Sequence, residues 1–189
     1  MFRASIVLMG VMALAAASAP AAPAATAAPA PASAQNQDPR LTRLEREVRH
    51  QLWLLPYYGV FDNLAFKVEP GGKVTLLGQV RKPTLKSDAE RAVKEVEGVD
   101  TVDNQIEVLP LSPNDDRLRL RVYRTIYRNT GLERYAIQAV PPIHIIIKNG
   151  NVTLEGVVRS EMDKTLANIK ARGVPGVFKV TNNLKVSST

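Results

Sequence analysis

The chain has 189 residues, 45% of them apolar, with 25 Lys plus Arg against 18 Asp plus Glu, a formal net charge of +7 and no cysteine. That length holds one ordinary domain or two small ones, and the absence of thiols excludes a disulfide framework and a lipid-modified N-terminal cysteine. Two isolated histidines, His50 and His144, are too few for a metal site or for a nucleophile with its base. Neither a metal nor a cofactor is expected.

Residues 1–34 read as an export signal with an Ala/Pro-rich tail. Arg3 supplies the basic start, Ala4 to Ala17 the apolar stretch, and Ala32-Ser33-Ala34 the small-x-small pattern ahead of Gln35. The uncharged stretch ending before Pro20 has sixteen residues, short of the ~18 of a spanning helix, which disfavours an uncleaved anchor. Cleavage after Ala34, and with it a periplasmic or secreted location, is the expectation. The cut removes one arginine and leaves a net charge of +6. Such a basic exported chain suits an anionic envelope partner, and no nucleic acid is expected because an exported protein seldom meets it.

The first folded segment opens at Asp38, a candidate helix cap, with Pro39 suited to the first turn. Leu41, Leu44, Val48, Leu52 and Leu55 recur at helical spacing, and Pro56 ends the run. Leu64, Phe66 and Val68 then alternate with Ala65 and Lys67, as in a strand. The turn Glu69-Pro70-Gly71-Gly72 leads into a second strand, KVTLLGQV. From Thr84 to Val96 a helix gathers Leu85, Ala89, Ala92, Val93 and Val96 on one face, Gly98 stops it, and a last strand runs from Thr101 to Val108.

The same order then returns. A helix is expected from Arg117 to Tyr127, a strand from Ile143 to Ile147, the turn Lys148-Asn149-Gly150-Asn151, the strand VTLEGVV, a helix from Glu161 to Arg172 and a strand from Lys179 to Val186. GKVTLLGQVR at 72–81 recurs as GNVTLEGVVR at 150–159, and behind that turn the halves align without a gap. Each half owns a full set of elements, which indicates a duplicated domain and not a solenoid. The expected fold class is α+β: two tandem αββαβ domains at 38–109 and 116–188, joined by a linker at 110–115, each a three-stranded mixed sheet with two helices packed on one face. Asn149-Gly150 suits a tight hairpin with positive φ. Gly156 marks a bulge or close packing against the helix.

Gly72, Val74, Thr75, Leu76, Gly78 and Val80, followed by Val96, Gly98, Val99, Val102, Asn104, Ile106 and Val108, return as Gly150, Val152, Thr153, Leu154, Gly156 and Val158, followed by Val174, Gly176, Val177, Val180, Asn182, Leu184 and Val186. This paired pattern resembles the BON domain, named for bacterial osmotically inducible and nodulation proteins. The resemblance implies a non-enzymatic, usually periplasmic module associated with envelope integrity, osmotic stress and contact with phospholipid surfaces. It departs from the pattern at Pro70-Gly71-Gly72, where the first hairpin loop is one residue longer. Because the signature residues maintain the fold, they carry no binding site over to this chain.

Binding residues are therefore sought outside the signature. In RLRLRVYRTIYR, 117–128, Arg117, Arg121, Arg124 and Arg128 fall on a narrow helical arc, opposite Leu118, Val122 and Ile126. Tyr123 and Tyr127 flank the arc through Leu120, so a guanidinium stripe would border an aromatic edge, as at a lipid headgroup boundary. A solvated helix face is the plainer alternative. In the first helix, Arg46, Arg49 and Trp53 point away from the apolar stripe, toward the other domain, a membrane or a partner. Glu45 and Arg49 have the spacing of a solvated ion pair, and His144 reads as a structural histidine. With no acid, base and pocket assembled, an enzyme is not expected. The expected partner is an anionic phospholipid surface or, alternatively, another envelope protein; nothing in the pattern sets the oligomeric state.

Overall fold

A computed structural model describes residues 38–187 apart from 139; the expected export leader lies outside the described residues. The chain from Gln37 onward forms one compact unit. Its first helix, α1 (Pro39–Trp53), starts where Asp38 accepts a hydrogen bond from the Arg40 N–H, with proline in the first turn. Leu44, Val48 and Leu52 are its buried face. Strands β1 (Asn63–Glu69) and β2 (Lys73–Val80) pair antiparallel, with Phe66 opposite Leu76 and Glu69 opposite Lys73. After α2 (Pro83–Lys94), strands β3 (Thr101–Asn104) and β4 (Glu107–Val108) both run parallel to β2.

The second half repeats the plan with α3 (Pro113–Tyr127), β5 (Ile143–Lys148), β6 (Asn151–Val158), α4 (Glu161–Arg172), β7 (Lys179–Asn182) and β8 (Lys185–Val186). In each sheet the central strand, β2 or β6, is flanked by its hairpin partner on one side and by two short parallel strands on the other. Among the described residues no strand crosses between the two sheets. Val74, Leu76 and Val80 pack with α1 and α2 in one core; Val152, Leu154 and Val158 pack with α3 and α4 in the other. Each such side chain taken fully out of water contributes about 1.5–3 kcal/mol, and the alternation along β2 and β6 is what aims all of them at the helices.

Three details differ from the sequence reading. The last strand of each half is broken in two, so each sheet holds four strands. At the break, Asn104 donates to the Lys86 carbonyl at 3.0 Å and accepts from the Ile106 N–H at 3.2 Å; Asn182 does the same with Lys164 and Leu184. One asparagine thus replaces a rung of the ladder and ties the strand to the helix over it. Helix α3 begins at Pro113, about a turn before Arg117, because Ser112 caps it by accepting from the Asp115 N–H. Lastly, Gly156 is required by the hairpin itself: its φ is +118° and a Cβ would overlap the Pro142 carbonyl oxygen, with Gly78 and Asn63 in the same relation. The helix is not the close neighbour.

The halves meet through the loop that follows α1. The Ile145 N–H of β5 donates to the Val60 carbonyl at 2.8 Å, and Val60 and Phe61 pack against the second core. Tyr58 stacks on His144 with centroids 5.6 Å apart, Phe61 meets Tyr123 edge-on at 5.9 Å, and two ion pairs, Lys148 with Glu107 and Arg81 with Asp116, flank the contact.

Candidate functional site

Helix α3 presents Arg117, Arg121, Arg124 and Arg128 to solvent. Among the described residues none of the four forms an ion pair with a carboxylate; Arg117 is steadied by the Asn114 side chain at 2.6 Å and the Pro113 carbonyl at 3.2 Å. Arg117, Arg121 and Arg124 line a groove of about 840 Å³ between α3, the tip of the β5–β6 hairpin and the loop before β7. Its exposed apolar members are Leu120, about half exposed, and Phe178, 82% exposed, above the buried Leu118. Arg128 lies on the same face beyond the groove.

Asp115 fixes the groove floor. Buried at the start of α3, its two carboxylate oxygens accept from the Asn149 N–H at 2.8 Å and the Gly150 N–H at 2.9 Å. This clamps the hairpin tip to the helix. Asp116 is taken in turn by Arg119 at 2.6 Å.

The two tyrosines do not form the expected exposed edge. Tyr127 is 4% exposed and its hydroxyl donates to the Ile143 carbonyl at 2.6 Å, so burial pushes its pKa up and the side chain belongs to the core. Tyr123 is half-buried between Phe61 and Tyr127. The aromatic next to the arginines is instead Phe178, which the sequence reading did not single out. Its signal was available: where the repeat puts Asp100 in the first half, an exposed position of the second half carries phenylalanine.

The second candidate group is only partly assembled. Trp53 is 68% exposed, and Arg49 covers the Phe66 ring at 5.8 Å instead of pairing with Glu45. Arg49, Leu52, Trp53, Leu64, Phe66 and Val68 border a groove of about 410 Å³ between α1 and the free edge of β1. Every residue lining it comes from the first half, and Arg46 stands outside it. His144 is only half satisfied: Tyr58 reaches its Nε2 at 3.5 Å, while Nδ1 is buried without a partner.

The corresponding concavity of the first half has the opposite character. About 760 Å³ in volume, it is lined by Asp38, Glu47, Glu95, Glu97 and Asp100 against Arg40 and Arg43. Matching Pro39 to Pro113 at the starts of α1 and α3 puts Arg43, Glu47, His50 and Leu54 where the second half has its four arginines. The cationic stripe is therefore a property of the second half and not of the shared fold.

The BON domain pattern matches residues 42–110 and again residues 114–188. The chain belongs to the BON domain family, as two tandem copies. Similar solved structures include two of one protein. One is the C-terminal domain of CdsD, described as the structural protein of the type III secretion system of Chlamydia trachomatis: it is 14% identical, 77% of this chain and 98% of that one are covered, and the TM-score is 0.28. A second CdsD structure is 15% identical, with 77% and 94% covered and a TM-score of 0.28. No curated protein matches the chain.

Proposed function

We propose that this chain is a periplasmic or secreted binding module that docks on anionic phospholipid surfaces through the exposed face of α3, in envelope maintenance or osmotic-stress protection. The observation that carries the reading is the arginine face itself: four guanidinium groups without carboxylate partners, beside an exposed Phe178, on the second copy alone. Each arginine near an anionic leaflet adds about 1 kcal/mol, attraction that fades over a Debye length of about 8 Å at physiological salt. Phe178 can enter the headgroup region while the arginines stay at phosphate depth.

Flotation with liposomes of neutral or anionic composition tests this. Binding is expected only to anionic vesicles, to weaken as salt is raised, and to fall by at least tenfold when Arg117, Arg121, Arg124 and Arg128 are all replaced by glutamine. Binding that ignores headgroup charge, or that survives those four replacements, rejects the site.

A second reading, a protein-interaction module for another envelope protein, is favoured by the Trp53 groove beside the open edge of β1. Stoichiometric capture of one protein without lipid would support it.

A further inference from the structure

Each half has the same concavity, framed by its first helix, the tip of its hairpin and the loop before its third strand, and the two concavities carry opposite charge. The backbone shows their equivalence: the Asp100 N–H donates to the Gly72 carbonyl at 2.8 Å, as the Phe178 N–H donates to the Gly150 carbonyl at 3.0 Å. In the first half Asp38, Glu47, Glu95, Glu97 and Asp100 surround the cleft, with only Arg40 and Arg43 against them. Among the described residues none of those five carboxylates has an ion-pair partner. On a chain of net charge +7 this is a local reversal of sign. The cleft is also apolar in part, through the partly buried Leu41 and Ala92 and the buried Leu44 and Val96.

The second half offers the complement. Arg117, Arg121 and Arg124 line its groove, and Phe178 stands at the edge with 82% of its surface exposed. Two close approaches fix this aromatic knob and the cation beside it. A Cβ on Gly150 would come within 2.6 Å of the Phe178 ring, so the ring rests directly on the hairpin tip; one on Gly176 would come within 3.3 Å of Arg121 Nη2, so that guanidinium reaches across to the loop before β7. An exposed ring flanked by arginines matches a partly apolar cleft surrounded by carboxylates, in charge and in chemistry. Within one molecule the two surfaces do not meet, because each is lined by residues of its own half.

We infer that this chain associates with further copies of itself, the arginine groove and Phe178 of one molecule seating in the acidic cleft of the next. The partner is a copy because the carboxylates, the arginines and the aromatic knob that match one another all belong to this chain. The inference goes beyond the lipid reading and does not rest on it. Both use the same arginines, so an anionic membrane and a second copy compete for one face.

Sedimentation of the full chain over a range of salt concentrations tests it, with thermal unfolding confirming that each variant is folded. The wild-type chain is expected to self-associate as its concentration rises and to dissociate as salt screens the exposed charges. Replacing Glu47, Glu95 and Glu97 by glutamine and Asp100 by asparagine spoils only the cleft, and Arg121→Gln combined with Phe178→Ser spoils only the groove. Each set should weaken self-association by about tenfold or more. A mixture of the two should form dimers and stop there, since one sound groove meets one sound cleft. In the liposome assay the cleft variant should float at least as well as the wild type, its arginine face being intact.

A wild-type chain that stays monomeric, association that ignores salt, a variant set that still associates fully, or a mixture that fails to pair overturns the inference. A monomeric wild type that floats on anionic vesicles rejects self-association and leaves the lipid reading standing. Association through these surfaces without flotation does the reverse. If the chain is monomeric yet the cleft variant loses capture of a basic envelope protein, self-association is rejected and the cleft belongs to the protein-interaction reading.

Discussion

Helices α1 and α3 begin alike, each with proline in its first turn, and bury matched residues, Leu44, Val48 and Leu52 in one and Leu118, Val122 and Ile126 in the other. Away from those residues they diverge. Trp53, 68% exposed, corresponds to Tyr127, 4% exposed; Glu47 corresponds to Arg121, and Leu41 to the hairpin-clamping Asp115. The covered face holds the fold and stays the same, while the uncovered face is free to change. One copy has gained a clamp and a cationic groove, and the other has kept an open edge with an exposed tryptophan. The family fold thus accounts for what the halves share, and function is to be sought where they differ.

The largest effect expected from this comparison lies at one matched pair, Ile145 and Phe66. Ile145 is fully buried and its strand edge is covered by Val60. Ile145→Ala should cost about 2–5 kcal/mol, the range for truncation in a closed core. Phe66 is only half-buried beside an open groove, so Phe66→Ala should cost about 1–2 kcal/mol, part of its surface being in water already. Urea unfolding of both variants at low concentration measures the difference. Equal losses would mean that the groove is closed in solution.

A smaller asymmetry is expected at the hairpin tips. Asp115→Ala leaves the Asn149 and Gly150 N–H groups without their acceptor and should cost about 1.5–3 kcal/mol, the range for hydrogen bonds to a charged group. Hydrogen exchange should quicken at those two amides. The matched change in the first half, Leu41→Ala, removes no such clamp from the longer Pro70-Gly71-Gly72 turn and should cost less than about 1 kcal/mol. Comparable exchange rates at Asn149 and Gly150 in the Asp115→Ala variant and the unaltered protein would remove the clamp from the account.

The duplicated plan was legible because it rests on local periodicity. Alternation along KVTLLGQV and VTLEGVV, helical spacing at Leu44, Val48 and Leu52, and Asn149-Gly150 at the hairpin each leave a mark within a few residues. What escaped the reading depends on distant partners. Helical spacing alone puts Tyr127 at the margin of the arginine arc; a carbonyl on the strand edge, sixteen residues away, draws its hydroxyl inward. The break in the last strands was hidden because an asparagine side chain replaces a backbone rung. The 3₁₀ turn at Glu133–Ile137 shows no period at all and is held from elsewhere, with the Tyr135 hydroxyl donating to Asp163 and accepting from the Arg159 N–H. The arginine face could be read from sequence, while its groove required the loop that carries Phe178.

The smallest effect expected concerns pH, and it separates the contact between the halves from the rest of the molecule. Burial lowers the His144 pKa below its ordinary 6.5, with Asp62 and Glu155 opposing that shift and Tyr58 stacked on the ring. The unfolded chain therefore takes up a proton near pH 6.5 while the folded contact resists it, so stability falls as pH drops from about 6.5 toward the lower folded value. Asp62 acts in the other direction. Burial raises its pKa above 3.8, so the stability it contributes is present below that value and is lost as pH rises through its folded pKa. The two groups consequently act in opposite directions, and the loss on acidification belongs to His144. His144→Gln should flatten thermal stability between pH 7.5 and 5.5. If the slope persists in that variant, the pH response does not arise at the contact between the halves.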